Sequence, residues 1–168
     1  MHKNKKICVI TATRSEYGLL RWLMEEFKNN KHYQLQLVVN GAHLSPEYGL
    51  TYKEIENDGF EINEKLEMIL SSESSAGIAK SMGLCAVGLA DVFNRLTPDL
   101  LVVLGDRYEL LPICSTALVM GIPIAHISGG DITEGTIDNE IRNAVSQMAT
   151  LHFPGTRDSA DRLISMGI

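Results

Sequence analysis

Cysteine is scarce in this sequence. Cys8, Cys85 and Cys114 are an odd number, each inside an apolar run and none in C-x-x-C spacing. That excludes a disulfide scaffold and fits a reducing compartment, so a cytoplasmic protein is expected. Excess positive charge is missing too. The 15 Lys and Arg are outnumbered by 21 Asp and Glu, and no basic face stands out, so a nucleic-acid polyanion is not an expected partner. Small anions are another matter, because a local pair of arginines binds phosphate even in an acidic protein. No apolar span of membrane-crossing length is read, and the basic stretch Met1 to Lys6 runs into a short strand-like segment rather than the apolar core of a secretory leader. Internal repeats, low-complexity tracts and linkers are also lacking. Without G-x-G-x-x-G or G-x-x-x-x-G-K-[ST], neither a dinucleotide nor a P-loop nucleotide is expected, and no cofactor is assigned. Without H-E-x-x-H or similar spacing, no metal site is assigned.

What is present is an ordered chain of 168 residues, 45% hydrophobic and 21% charged, enough for one domain with a sizeable core. Lys6 to Ala12 reads as a buried strand. After "TRSEYG", Leu19, Leu20, Leu23, Met24 and Phe27 recur at helical spacing through Asn30. Tyr33 to Asn40 reads as a second strand, Tyr52 to Asn57 as a short helix, and Ile62 to Met68 as a weaker strand. Ser74 to Leu96 is a long helix opened by serines suited to capping. Leu100 to Leu104 and Pro123 to Ile127 are further strands separated by a helix ending near Met120. Asn139 to Ala149 and Ser159 to Met166 are helical around a short strand near Leu151. Alternation of this kind predicts an α/β fold, a Rossmann-like parallel sheet with helices on both faces. Continuously apolar strands agree with a sheet buried on both sides.

In such a fold the ligand crevice lies beyond the carboxyl ends of the strands. Those ends are Thr13-Arg14-Ser15-Glu16, Gly41-Ala42-His43, Gly105-Asp106-Arg107 and His126 through Asp131. Arg14 can fork onto a phosphate beside a helix start, or pair with Glu16 or another surface carboxylate. Asp106 can take or give a proton beside an anion held by Arg107, or it can cap the next helix. The pair Gly129-Gly130 permits a sharp turn that aims Asp131 into the crevice, or Asp131 is a turn former. His126, inside an apolar strand, reads as a core histidine. Asp138 reads as an N-cap for "NEIRNAVSQMA", with Arg142 one turn on and able to pair with Asp138 or Glu140. His43 either contacts a sugar hydroxyl or ends a loop.

The stretches "TRSEYG", "GAHLSPEYGLTYKEIENDGF", "LVVLGDRYELL", "IPIAHISGGD" and "GTIDNEIRNA", in this order, resemble the hydrolysing UDP-N-acetylglucosamine 2-epimerases of bacterial sialic-acid synthesis. The resemblance covers essentially the whole chain. It implies that residues 1–168 form the N-terminal lobe of a two-lobe GT-B enzyme, with the C-terminal lobe, its catalytic histidine and the uridine pocket beyond this chain. It also implies conversion of UDP-GlcNAc and water to N-acetylmannosamine and UDP, by elimination to 2-acetamidoglucal and then hydration. By the same resemblance Arg14 and Arg107 contact UDP, and Asp106 and Asp138 are catalytic. Ser128 stands where several relatives carry a catalytic glutamate. Asp131 is the expected substitute, with Glu134 in reserve, and Ser128 leaves a UDP-linked diacetamido sugar open as substrate. Arg142, Ser128 and His43 complete the expected substrate contacts. The five charged groups Arg14, Arg107, Asp106, Asp131 and Asp138 are expected around one half-cleft, in a lobe that self-associates and shows little turnover alone. The rivals are a non-hydrolysing epimerase, which typically starts with a GTRPE-like segment and carries GDT, a GT-B glycosyltransferase, and a non-catalytic nucleotide-sugar-binding module.

Overall fold

The computed structural model describes residues 4–70, 72, 74–134 and 137–168. Met1 to Lys3 of the basic start, and Gly135 and Thr136 of the "GTIDNEIRNA" stretch, lie outside the described residues. The order is β1 (Lys5–Thr11), α1 (Arg14–Asn29), β2 (Tyr33–Asn40), two 3-10 turns (Gly41–Leu44 and Pro46–Tyr48), α2 (Tyr52–Asn57), β3 (Glu64–Leu66) and α3 (Ser75–Leu96). Then come β4 (Leu100–Leu104), α4 (Leu110–Val119), β5 (Ile124–Ile127), α5 (Asp138–Met148), β6 (Leu151–Phe153) and α6 (Arg157–Ser165). The six strands form one parallel sheet in the order β3-β2-β1-β4-β5-β6.

Alternate residues of each strand feed two separate cores, as the period-2 geometry of a strand requires. Cys8, Ile10, Leu101 and Val103 face one side, where Leu89 and Phe93 of α3, Ile113 of α4 and Val145 of α5 cover them. Ile7, Val9, Leu37 and Val102 face the other, against Tyr17, Leu20 and Met24 of α1 and against Ile55 and Phe60. Each fully buried aliphatic or aromatic side chain contributes about 1.5–3 kcal/mol. The β2-β1-β4 centre is therefore a firm base for the loops at its carboxyl edge.

Two expectations change. Helix α1 begins at Arg14, inside "TRSEYG", because Thr13 caps it. Helix α3 is long and apolar enough by composition to cross a bilayer, although the sequence pattern predicts no such stretch. Small residues dilute its pattern, and here it is the crossover helix between β3 and β4, with Ser81, Cys85, Leu89, Val92 and Phe93 buried.

The position of β1 beside β4 determines where a ligand can sit. The chain runs outward from β1 through β2 to β3, then returns to the other side of β1 for β4, β5 and β6. The strand order therefore reverses between β1 and β4, which is where open α/β sheets leave a crevice.

Candidate active site

Each strand delivers its rim residue through a local device. At the end of β1, Thr13 and Glu16 form a capping box. The Thr13 hydroxyl accepts from the Glu16 amide, and Glu16 Oε2 accepts from the Ala12 and Thr13 amides at 2.7 and 3.2 Å. Burial pushes the Glu16 carboxyl up, against the lowering effect of the Ala12 amide and the Arg107 charge. Glu16 is thus committed to the backbone. Arg14 pairs instead with Glu54 of α2, Nε to Oε2 at 2.9 Å, and its side chain is largely in solvent.

At the end of β2, Gly41 adopts a φ of +57°, and a Cβ there would sit 3.0 Å from the Ala12 side chain. The backbone can fold this tightly against β1 only as glycine. His43 comes next, and the structure corrects its expected role. The ring is fully buried, with Nε2 3.1 Å from the Thr11 hydroxyl and Nδ1 2.8 Å from that of Thr51. Burial lowers its pKa to about 4. It ties the loop after β2 to β1 and has no edge left for a sugar.

At the end of β4, Gly105 turns the chain with a φ of +86°. Helix α4 begins at Leu110 with Glu109 in the cap position, so Asp106 is not its cap. Arg107 donates from Nε to Glu109 Oε2 at 3.2 Å and from Nη2 to Oε1 at 3.1 Å. Asp106 accepts from the Thr133 hydroxyl at 3.2 Å and from Arg142 Nη2. Arg142, expected to pair within α5, reaches across to the β4 turn, and its buried Nε has no partner among the described residues.

His126 is a core histidine, as read from the sequence, and its bonds fix its tautomer. Nε2 lies 2.8 Å from the Gly105 carbonyl, which can only accept, so Nε2 carries the proton. Nδ1 then accepts from the Ser146 hydroxyl at 3.1 Å. The ring fastens the residue before Asp106 to α5, the helix that carries Arg142. After β5, Ser128 adopts a left-handed φ of 65° and Gly130 one of 78°. A Cβ on Gly130 would collide with the Ser159 carbonyl. Asp131 accepts from the Ser159 hydroxyl at 2.5 Å. Asp138 lies in the first turn of α5, after Ile137 in the cap position.

These groups share the carboxyl rim but not one cavity. Arg14 and Arg107 line an open cleft of about 1470 Å³ together with the loop after β2 and the segment around Met68. Asp131, Glu134, Arg142 and Arg162 line a second hollow of about 690 Å³. The expectation of a single half-cleft is corrected to two hollows joined by the turn after β4. Arg107 faces the larger one, and its neighbour Asp106 touches Thr133 and Arg142 of the smaller. Asp106, Asp138, Ser128 and His43 line neither. Chemically, the larger cleft offers forked donors suited to phosphate oxygens. The smaller offers carboxylates set against arginines, suited to proton transfer. Glu109 and Thr133 were not read from the sequence. Neither belongs to a spacing rule, and each acts through a turn that only the folded chain forms.

Comparison with known proteins agrees with this architecture. A profile of the UDP-N-acetylglucosamine 2-epimerase family matches residues 25–168. The chain is 45% identical to a Campylobacter jejuni GDP/UDP-N,N'-diacetylbacillosamine 2-epimerase (hydrolyzing) over 97% of its own length and 42% of the relative's. It is 36% identical to the Escherichia coli polysialic acid biosynthesis protein P7, with the same coverage of 97% and 42%. The chain thus spans less than half the length of these relatives. In three dimensions it superimposes on the Neisseria meningitidis UDP-GlcNAc 2-epimerase bound to UDP-GlcNAc with a TM-score of 0.85, at 20% identity, covering 97% of this chain and 44% of that one. By the match over most of its length, the chain belongs to the UDP-N-acetylglucosamine 2-epimerase family.

Proposed function

We propose that this chain is the N-terminal lobe of a hydrolysing 2-epimerase for a UDP-linked 2-acetamido sugar, with a second lobe closing over the rim in a GT-B arrangement. The observation that carries the reading is the Gly105-Asp106-Arg107 turn, which puts Arg107 in the lining of the larger cleft and ties Asp106 to Thr133 and Arg142 of the smaller one. Arg14 and Arg107 hold the diphosphate in the larger cleft and stabilise its charge as it departs. The C1–O bond breaks and its electron pair leaves with UDP. The developing positive charge on the ring acidifies the C2 proton, which passes to a carboxylate, leaving a C1=C2 glycal. Water then adds its hydroxyl at C1, and an acid delivers a proton to C2 from the opposite face, so C2 is inverted. Asp106 and Asp138 are the acid and base groups, Asp131 stands in for the glutamate that Ser128 replaces, and Arg142 holds Asp106 in place. Ser128, at its left-handed turn, lets the backbone after β5 come close to the sugar. No redox group enters this chemistry.

For the sugar itself, the 45% identity to the diacetylbacillosamine enzyme favours a diacetamido substrate. A Neisseria meningitidis UDP-N-acetylglucosamine 2-epimerase is 28% identical. UDP-GlcNAc, giving N-acetylmannosamine for sialic-acid synthesis, is the second reading, and the 36% identity to the polysialic acid protein supports it. The same reading makes the enzyme a cytoplasmic homo-oligomer. Proton NMR of the two-lobe protein with each UDP-sugar in D2O tests it. Free 2-epimerised sugar, UDP and deuterium at C2 are expected. A UDP-linked epimer without free sugar would overturn hydrolysis, and no turnover of any UDP-sugar would overturn the reading.

A further inference from the structure

The two arginines of the larger cleft are held in different ways. Arg14 meets Glu54 in solvent, an exposed pair of the kind that water and salt readily exchange. Arg107 meets a carboxylate that is only 1% exposed while its own side chain is 44% exposed. Burying Glu109 is costly, since a carboxylate removed from water loses several kcal/mol before any pairing. Capping does not account for it: Glu109 occupies the cap position of α4 but makes no side-chain cap hydrogen bond.

The geometry of the pair supplies the return. A guanidinium has five N–H donors in one plane. Glu109 takes the Nε donor and one on Nη2, leaving three on the outer part of the fork. Glu109 grips Arg107 by its inner edge, and the cleft is lined by the same arginine. Glu16, also buried, adds a second negative charge behind it. A free arginine carries rotamer entropy that an anion would have to remove on binding. Here the fold has removed part of it beforehand.

We infer that Glu109 is a positioning residue for phosphate recognition, fixing Arg107 so that its outer N–H groups face the diphosphate of a nucleotide sugar. The inference rests on the reading of Arg107 as a diphosphate ligand. Arg107 is the preorganised anchor of the site, and Arg14 is the adjustable partner that leaves Glu54 when the anion arrives.

The test is calorimetric titration of UDP into the two-lobe protein and its Glu109→Gln, Arg107→Ala and doubly substituted forms. Arg107→Ala is expected to weaken UDP about 10–100-fold, as loss of a charged hydrogen-bonding group does. Glu109→Gln, which keeps the shape and removes the charge, is expected to weaken it about tenfold. Its kcat/KM for the UDP-sugar should fall by at least a similar factor, with loss in kcat as well as in KM, because the same arginine stabilises the departing charge. The double variant should bind no more weakly than Arg107→Ala alone, because Glu109 acts through that side chain. Wild-type affinity in Glu109→Gln, or additive losses in the double variant, overturns the inference while leaving Arg107 as a ligand. Wild-type affinity in Arg107→Ala overturns both. Should Arg107→Ala unfold by stranding the buried carboxylate, the uncharged pair Arg107→Met with Glu109→Leu sets the floor. Glu109→Gln must then fall between the wild type and that floor, and wild-type affinity again refutes it.

Discussion

Asp106→Ala separates what the carboxylate does for the fold from what it does for the reaction. Arg142 is held at 9% side-chain exposure, with Asp106 at 21%, and its Nε lacks an acceptor among the described residues. Removing one partner of a buried ion pair costs about 3–5 kcal/mol, because the other charge is stranded. Partial access of water to Asp106 puts this pair at the lower end, near ~3 kcal/mol. In a protein of this size 1 kcal/mol moves the melting temperature by about 2–4 °C, so a fall of roughly 6–12 °C is expected. Asp106→Asn keeps an acceptor for Arg142 and should lose about 1 kcal/mol, or roughly 2–4 °C. On the proposed function, turnover in the two-lobe protein should drop about 100–10,000-fold in both, since neither retains a group able to exchange the proton. Adding Arg142→Met to Asp106→Ala removes the stranded charge and should restore most of the melting temperature without restoring turnover. Circular dichroism melts of the chain and its variants give the stability, and NMR gives the rate. An Asp106→Ala protein that melts within about 2 °C of wild type would refute the account of the pair. So would a double variant no more stable than the single one.

Acid should weaken the fold through His43, whose burial holds its pKa at about 4, against about 6.5 in an unfolded chain. The native state therefore binds fewer protons than the unfolded state between those values. Stability from this group is constant above about pH 6.5 and falls as pH drops toward 4. The slope of melting temperature against pH across that window should be shallower in His43→Gln, and an unchanged slope would remove His43 from the account. Gly83 and Gly130 should respond oppositely to alanine. Gly83 lies inside α3 with nothing within 4 Å of an added Cβ, so Gly83→Ala should raise stability by about 0.5–1 kcal/mol. Gly130→Ala must fit a φ of +78° and a Cβ 3.0 Å from Leu163 Cγ and against the Ser159 backbone. It should lower the melting temperature and disturb Asp131, and an unshifted melt would count against the tight turn.

The fold was legible where local pattern and tertiary environment agree. The run Leu100 to Leu104 is a strand with those bounds, and Ser74 does cap the helix to Leu96, because a buried parallel strand and a capped helix announce themselves in adjacent residues. The site was legible only as a rim. Strand ends located Arg14, Asp106 and Arg107, but no periodicity says that Glu16 turns back to the Ala12 and Thr13 amides and leaves Arg14 to Glu54. His43 and His126 show the limit well. Each follows or ends an apolar strand, and both are buried on hydroxyl and carbonyl partners. The sequence distinguished them only because His126 lies inside an apolar strand, whereas His43 follows one beyond Gly41. The reach of Arg142 to Asp106 depends on packing α5 beside α4 and β5, which local spacing does not contain.

Since β1 and β4 are hydrogen-bonded neighbours although α1, β2, α2, β3 and α3 intervene, the two guanidiniums come from chain segments that meet only when this long excursion is closed. Such distant pairing is a slow event in folding. If Arg14 and Arg107 hold a diphosphate as proposed, chains lacking β4 would have only half of that grip. On the proposed reading of the two arginines, capture of a UDP analogue would thus report that the middle seam of the sheet has closed.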